Sequence, residues 1–184
     1  MATSDNTPEQ DVIQISLANG YIMLVDSIDK NFLQHQWSAK WGMRHPNAFY
    51  AARSDRSNGK RKTLTLHRLI FSLMIGRELH RSELVDHING NTLDNRRVNL
   101  RLANSSTSNM NRGRFISSSS GYKGVTRDRG QWRSRIQVDK NMIELGRFDN
   151  PKDAALAYNE AAKVYHGEFA RLNVLPENNK ETHR

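Results

Sequence analysis

Cysteine is absent from the 184 residues. Its absence excludes a disulfide framework and every Cys-ligated structural zinc, so any metal must rest on oxygen and nitrogen ligands. Long apolar runs are absent too. No stretch approaches the roughly 18 consecutive apolar residues of a membrane span, and no basic amphipathic helix stands out, which argues against a membrane partner. The opening MATSDNTPEQD has neither the basic region nor the apolar core of a secretory signal; it reads as a disordered start, and predicts a cytoplasmic protein. Acidic residues are scarce, 19 against 28 Lys and Arg, for a net charge of +9 and a pI near 10.1. Residues 1–36 hold one lysine and five acids, leaving 27 basic against 14 acidic residues beyond them. Such an excess favours a polyanionic partner, because neutralising each phosphate releases condensed counterions. With 36% hydrophobic and 26% charged residues, the composition predicts small modules with modest cores, of the α+β class.

Along the chain, Ile13, Ile15 and Leu17, a turn at Asn19-Gly20, then Ile22 and Leu24 predict a β-hairpin. Asp29 reads as the cap of a short helix reaching Gln36, and Trp37 as a core residue opening an extended segment. Phe49 to Arg53 and Thr63 to Leu66 read as strands, His67 to Ile75 as a helix stopped by Gly76, and Leu84 to Ile88 as a strand entering a polar loop. A short helix is expected over 104–111. Ser117 to Ser120 resembles a linker, which places a boundary over 113–120. Beyond it, Tyr122 to Arg127, Gln131 to Val138 and Met142 to Phe148 predict an antiparallel three-stranded meander. Asn150-Pro151-Lys152-Asp153 then starts a helix with an N-cap, a proline at the first helical position and an acid in the first turn, running to about Tyr165. Residues 175–184 form a polar tail.

Chemistry concentrates between Val85 and Arg101. A carboxylate such as Asp86 anchors a hard divalent cation that keeps open positions for phosphate oxygens. A neutral imidazole such as His87 can take the proton of an attacking water. Leu66-His67-Arg68-Leu69-Ile70, Asp86-His87-Ile88-Asn89-Gly90-Asn91, Leu93-Asp94-Asn95, Asn99-Leu100-Arg101 and Asn109 to Arg112 together resemble the HNH homing endonucleases of phages and mobile introns. The resemblance implies a ββα-metal nuclease region over 67–112, preceded by a β-rich subdomain over 12–66. It implies Asp86 as metal ligand for Mg²⁺ or Mn²⁺, His87 as general base, Asn99 as the brace of the loop and a helix amide as second ligand. Counted without gaps that amide falls on Ser108, with Asn109 one residue later; a one-residue shift turns a helix by about 100°, and Asn109 is preferred. His67, ahead of an apolar helix, reads as structural. His35, His45, His80, His166 and His183 share no ligand spacing and are assigned no chemistry. The host implied is a bacterial or phage-infected cell.

On the strand Gln131 to Val138, a period of two puts Trp132, Ser134, Ile136 and Val138 on one face and Gln131, Arg133, Arg135 and Gln137 on the other. The second set carries donors suited to base edges in a major groove wide enough for strands. Gly121-Tyr122-Lys123-Gly124-Val125, Trp132, Leu145-Gly146-Arg147-Phe148, Ala154-Ala155-Leu156-Ala157-Tyr158, Ala161-Ala162 and Leu172-Asn173 resemble the AP2 DNA-binding domain over 121–174. That family implies a three-stranded sheet packed on one helix and docked on double-stranded DNA. Lys123, Arg133, Arg135 and Gln137 are its contacts by carry-over, with Arg127 and Arg129 placed against phosphates. Glu144 stands where plant relatives often have Trp, so base preference is not transferred. The whole predicts a site-preferring DNA endonuclease without a membrane or protein partner. The competing readings are an AP2-type regulator with an inactive nuclease region and, more weakly, an RNA-binding protein.

Overall fold

In the computed structural model, residues 11–42, 45–57, 59–113 and 119–176 are described. The expected disordered start, most of the serine linker and nearly all of the polar tail lie outside them. The chain divides into two compact units, Met1–Asn104 and Ser105–Arg184. Mixed helix and strand are arranged as several small antiparallel sheets.

The first unit opens with β1 (Val12–Ser16) and β2 (Ile22–Asp26), paired antiparallel. Their turn uses Gly20 at φ +81°, a conformation that glycine enters without a Cβ penalty. The Asn19 side chain pairs with the Ala39 peptide, donating to its carbonyl at 2.9 Å and accepting from its N–H at 3.1 Å. The turn is thereby tied to β3 (Ser38–Gly42), which forms a meander with β4 (His45–Asp55) and β5 (Lys62–Thr65). Helix α1 (Leu66–Met74) buries Leu66, His67, Ile70 and Phe71, one stripe at helical spacing. That stripe meets Met23, Val25, Trp37 and Leu100 in a single core. Gly76, at φ +68°, follows the end of the helix. The last pair, β6 (Leu84–His87) and β7 (Leu100–Ala103), is antiparallel.

The expected cap at Asp29 is corrected by the structure. Ser27–Gln34 winds as a 3-10 helix whose N-cap is Asp26, with no side-chain capping bond. Asp29, instead, is buried against the guanidinium of Arg97.

The second unit begins with α2 (Ser105–Met110), which carries Ser108 and Asn109. A meander of β8 (Val125–Asp128), β9 (Gln131–Val138) and β10 (Asn141–Phe148) follows, with β9 central. Tight turns join the strands with positive φ at Arg129-Gly130 and at Asp139-Lys140, the geometry that matches strand twist in two-residue hairpins. Helix α3 (Pro151–His166) starts at Asn150, whose side chain accepts the Asp153 N–H at 2.9 Å. Its alanines pack on the sheet: Ala154 and Ala155 with Val125, Trp132 and Phe148, and Ala162 with Tyr158, Ile136 and Val138. Asn159 and Asn173 exchange two hydrogen bonds at 2.9 and 2.7 Å, and Asn173 also brackets the Lys123 peptide at 2.6 and 3.1 Å. The segment after α3 is thus fastened to both the helix and the entry to β8. No helix among the described residues is long and apolar enough to cross a membrane.

Gly124 is the closest backbone approach in this unit. At φ +76°, a Cβ there would stand 2.6 Å from the Arg135 carbonyl oxygen and overlap the Tyr158 ring. Gly124→Ala is expected to destabilise the second unit by about 2–4 kcal/mol, combining backbone strain with overpacking. Urea unfolding followed by Trp fluorescence measures it, and a loss under about 0.5 kcal/mol, the size of a neutral surface change, would contradict the packing described.

Candidate active site and nucleic-acid interface

Strands β6 and β7 set the first site. The register pairs Asp86 with Arg101 and His87 with Leu100, and because side chains alternate along a strand, Asp86 and His87 face opposite ways. Arg101 Nη2 lies 3.1 Å and Nε 3.3 Å from Asp86 Oδ2. Both side chains are largely withdrawn from solvent, 11% exposed for Arg101 and 13% for Asp86.

His87 enters a cluster of rings. Its centroid is 5.1 Å from that of His67, edge to face, and 6.1 Å from that of Tyr50, which in turn is 5.1 Å from His67. Burial pushes the His87 imidazole down to about 4, against the opposing pull of Asn95 and the Asp94 charge. Burial also holds His67 well below the ordinary histidine value, with the charges of His87 and Arg68 acting in the same direction. Both rings are therefore neutral near pH 7. His87 is 3% exposed. His67, expected to be structural, is the nearest ring partner of His87. Twenty positions apart on a helix and a strand, the two offer no spacing that a sequence pattern could join.

The loop between the strands is held from within. Asn99 Oδ1 accepts the Asn89 N–H at 2.9 Å, and Asn99 Nδ2 donates to the Asp94 carbonyl at 2.7 Å. Asp94 accepts Asn89 Nδ2 at 2.8 Å and both Nε and Nη2 of Arg96 at 2.7 Å. Burial raises the Asp94 carboxyl, yet these donors outweigh it and leave the group below its usual range. The β2 backbone joins in, with Leu24 N–H donating to Leu93 at 2.9 Å and Asn95 N–H to Leu24 at 2.8 Å.

Among the described residues no three of His, Asp, Glu or Cys gather as a metal cluster. Asp86 offers a hard oxygen donor, which the Arg101 guanidinium meets at 3.1 Å. The expected helix ligands stand on α2 of the second unit, Asn109 exposed and Ser108 half-buried.

In the second unit the sheet has two distinct faces. Trp132, Ser134, Ile136 and Val138 turn toward α3 or are buried, whereas Gln131, Arg133, Arg135 and Gln137 take the other parity. A bulge between Glu144 and Gly146 shifts the parity of β10. Ile143 and Leu145 point inward before it and Phe148 after it, so Arg147 joins Arg133 on the outer face. Simple alternation missed Arg147 for that reason. Asp128 links the two arginines, at 3.2 Å from Arg133 and 3.1 Å from Arg147. Arg127 is paired across from Trp132 and lies 4.9 Å from the centre of its indole, at the sheet edge and off the Arg133 face. Arg129 is exposed in the turn. Lys123 is off that face as well: its ammonium donates to the Met110 carbonyl and lies 5.8 Å from the Tyr158 ring. Burial, with Arg171 and Arg112 nearby, lowers it to about 8. An open groove of about 780 Å³ in this unit is lined by Asn109, Arg112, Lys123, Arg135 and Gln137, among others.

Residues 65–110 match a family model described as HNH endonuclease (HNH_3). An uncharacterized HNH endonuclease of Acanthamoeba polyphaga mimivirus is 37% identical over 114 residues, 61% of this chain and 58% of the relative. The dehydration-responsive element-binding protein 2C of Arabidopsis thaliana is 46% identical over 59 residues, 30% of this chain and 17% of that protein. The chain thus spans little more than half of the first relative and under a fifth of the second. No solved structure matches it.

The ring cluster predicts a pH signature. With His87 at about 4 when folded and 6.5 ordinarily, the unfolded chain takes up its proton first as pH falls. Stability present above pH 6.5 is therefore lost progressively between about 6.5 and 4, and His67 acts in the same direction. Asp94 adds to the loss only as pH falls through and below the ordinary carboxylate range. His67→Phe, which keeps a ring and removes a titrating site, should flatten the fall of the first unit's melting temperature across that window. An unchanged slope would mean that His67 is not held neutral.

Proposed function

We propose that this chain, which joins an HNH endonuclease segment to a C-terminal segment of AP2 type, is a site-preferring DNA endonuclease of the homing kind that works with one divalent metal. The observation that carries the reading is the end of β6, where a carboxylate already opposed by a cation is followed at once by an imidazole kept neutral. Phosphodiester hydrolysis can use those two groups, one to hold a metal and one to take a proton.

In the proposed roles, Asp86 holds the metal and His87 takes the proton of the attacking water. Asn99 keeps the loop that follows His87 in register through its two hydrogen bonds. The resemblance adds Asn109 as a second ligand and a ββα-metal arrangement. A divalent ion such as Mg²⁺ or Mn²⁺ would offset charge on the leaving 3′ oxygen, so that the product keeps a 5′ phosphate. On the sheet, Arg133, Arg135 and Gln137 are assigned to base edges. Arg127 and Arg129 are assigned to phosphates, and Lys123 is kept as a contact by carry-over alone, its ammonium being turned to the Met110 carbonyl. Arg147 joins the base-facing group through the β10 bulge. Tethering a DNA-reading sheet to a nuclease raises the local concentration of the cutting site near its target. A second reading, a DNA-binding regulator with an inactive nuclease region, is favoured by the enclosure of His87 and the engagement of Asp86 by Arg101.

The two readings part in a cleavage assay on supercoiled DNA with Mg²⁺, Mn²⁺ or EDTA. The endonuclease reading expects metal-dependent nicked or linear product, and a His87→Ala rate lower by about 10²–10⁴-fold, the usual worth of a general base. DNA retention without metal-dependent cutting would establish the regulator instead. In a binding assay, Arg133→Ala and Arg135→Ala should each lose about 1–3 kcal/mol and relax preference at particular positions, whereas Arg129→Ala should weaken all sequences alike. Uniform loss in all three variants would show that the sheet does not read bases.

A further inference from the structure

We propose that Tyr21, Trp41 and Phe49 form a stacking platform for one unpaired DNA base, set beside the loop that leaves His87. The proposal rests on the reading of DNA as the ligand of this chain, and not on its being cut.

The three rings meet where the core of the first unit runs out to solvent. Trp41 pairs with Phe49 across β3 and β4, next on the same face to the buried pair Ala39 and Ala51. Both rings therefore continue the inward face of the meander past its last buried alanines. Tyr21, just ahead of β2, has the parity of the fully buried Met23 and Val25. Its ring lies 4.7 Å from that of Phe49 with the planes 31° apart, and Trp41 meets Phe49 at 4.9 Å and 88°. A right-angle contact covers at most one face of the indole, and Trp41 is 56% exposed, Tyr21 39%. Single exposed aromatics are ordinary, but three rings in mutual contact, the largest of them the most open, make a binding patch.

The surroundings of the patch select a base. Residues 38–65, which carry the meander, hold seven Lys and Arg against one acid, a balance that draws a polyanion and repels a cationic peptide. The patch also borders the loop of the nuclease segment. Thr92 Oγ1 donates to the Phe49 carbonyl at 2.7 Å, and the Gly90 N–H donates to the His87 carbonyl at 2.9 Å. Between loop and strand a shallow open cavity of about 210 Å³ is lined by Ala48, Phe49 and residues 90–93. It sets a ring on one side and peptide and amide groups on the other, which suits a base with its apolar face and hydrogen-bonding edge. Every base has such a face, so a platform of this kind holds a strand without reading it. Recognition of sequence stays with the sheet of the second unit.

The test uses the full chain in EDTA, so that binding is read apart from cutting. Two labelled duplexes of one sequence, one fully paired and one with a single unpaired thymine, are titrated with protein and followed by fluorescence anisotropy. Contacts to phosphates and groove edges elsewhere act on both alike. The unaltered protein is expected to bind the bulged duplex about tenfold more tightly, within the usual worth of stacking one base on an aromatic ring. Trp41→Ala should bind the two duplexes alike, and Trp41→Phe, which keeps a ring, should retain part of the preference. Tyr21→Ala serves as the reporter if melting shows Trp41→Ala unfolded. A preference that is absent from the unaltered protein, or that survives in folded Trp41→Ala, overturns the proposal while leaving DNA as the ligand. Failure to bind either duplex brings down the reading beneath it. Tighter binding of a bulged RNA duplex of the same sequence would make RNA the occupant and sink the proposal. So would light scattering that shows Trp41→Ala turning a dimer into a monomer with the bulge preference intact, since the patch would then join two copies of the chain.

Discussion

A buried carboxylate, Asp94, is the constraint on which the geometry of the first unit depends. The loop from Ile88 to Arg96 crosses part of the interior, and every N–H and C=O taken out of water there must find a partner. Asp94 meets that demand for the loop's far end. One oxygen takes Arg96 Nε, the other takes both Arg96 Nη2 and Asn89, and its backbone carbonyl takes Asn99. Asn91 and Asn89 close the near end through short side-chain-to-backbone bonds at 3.2 and 2.8 Å. Removing the carboxylate would leave Arg96 and the Asn89 amide without their shared acceptor, a cost larger than that of any single bond lost. Most of the amides from Asn89 to Asn99 are thus explained locally: Asn89, Asn91 and Asn95 bond the backbone two residues away, while Asn99 spans the loop, and together they substitute for ladder bonds that a loop cannot make.

The N-terminal hairpin serves the loop as a wall. Leu24 and Asp94 form a parallel bridge, Asp26 accepts the Arg97 N–H at 2.7 Å, and Asp29 takes the Arg97 guanidinium at 2.7 and 2.9 Å. The acids that make residues 1–36 unlike the rest of the chain are therefore partly spoken for: two of them neutralise a cation of the loop. With Asn19 tying the hairpin turn to β3, the hairpin, the meander and the β6–β7 pair share one core. The residues that precede the HNH-matching segment in sequence share its core.

Much of this was legible in the chain. Period-two patterns located the first hairpin and the central strand of the second unit, and the Asn150-Pro151 start and Gly76 stop located helix ends, because each of those signals acts within a few residues. What escaped was non-local or parity-breaking. Asp29 before a helical run looks like a cap, and only Arg97, distant in sequence, shows otherwise. Strand β7 has just four residues, too few for alternation to declare itself. The approach of His67 to His87 depends on how α1 packs, and the place of Arg147 on a bulge that one glycine permits. Lys123 matched its family position, but its ammonium is drawn away by the Met110 carbonyl, a partner no pattern of side chains could reveal.

The arginine partners sort by depth. Asp94 and Asp29 are 2% and 1% exposed and fully forked by Arg96 and Arg97. Stripping such a pair strands a charge in low dielectric, so both are fixtures of the fold. Asp128, 22% exposed, divides itself between Arg133 and Arg147 at 3.1–3.2 Å, and water screens what each contact is worth. Asp86, 13% exposed, falls between these limits in depth. The same chemical pair therefore recurs at different depths in one chain, and burial together with fork geometry sets how firmly it is fixed. Where the carboxylate is both deep and fully forked, the pair builds the fold.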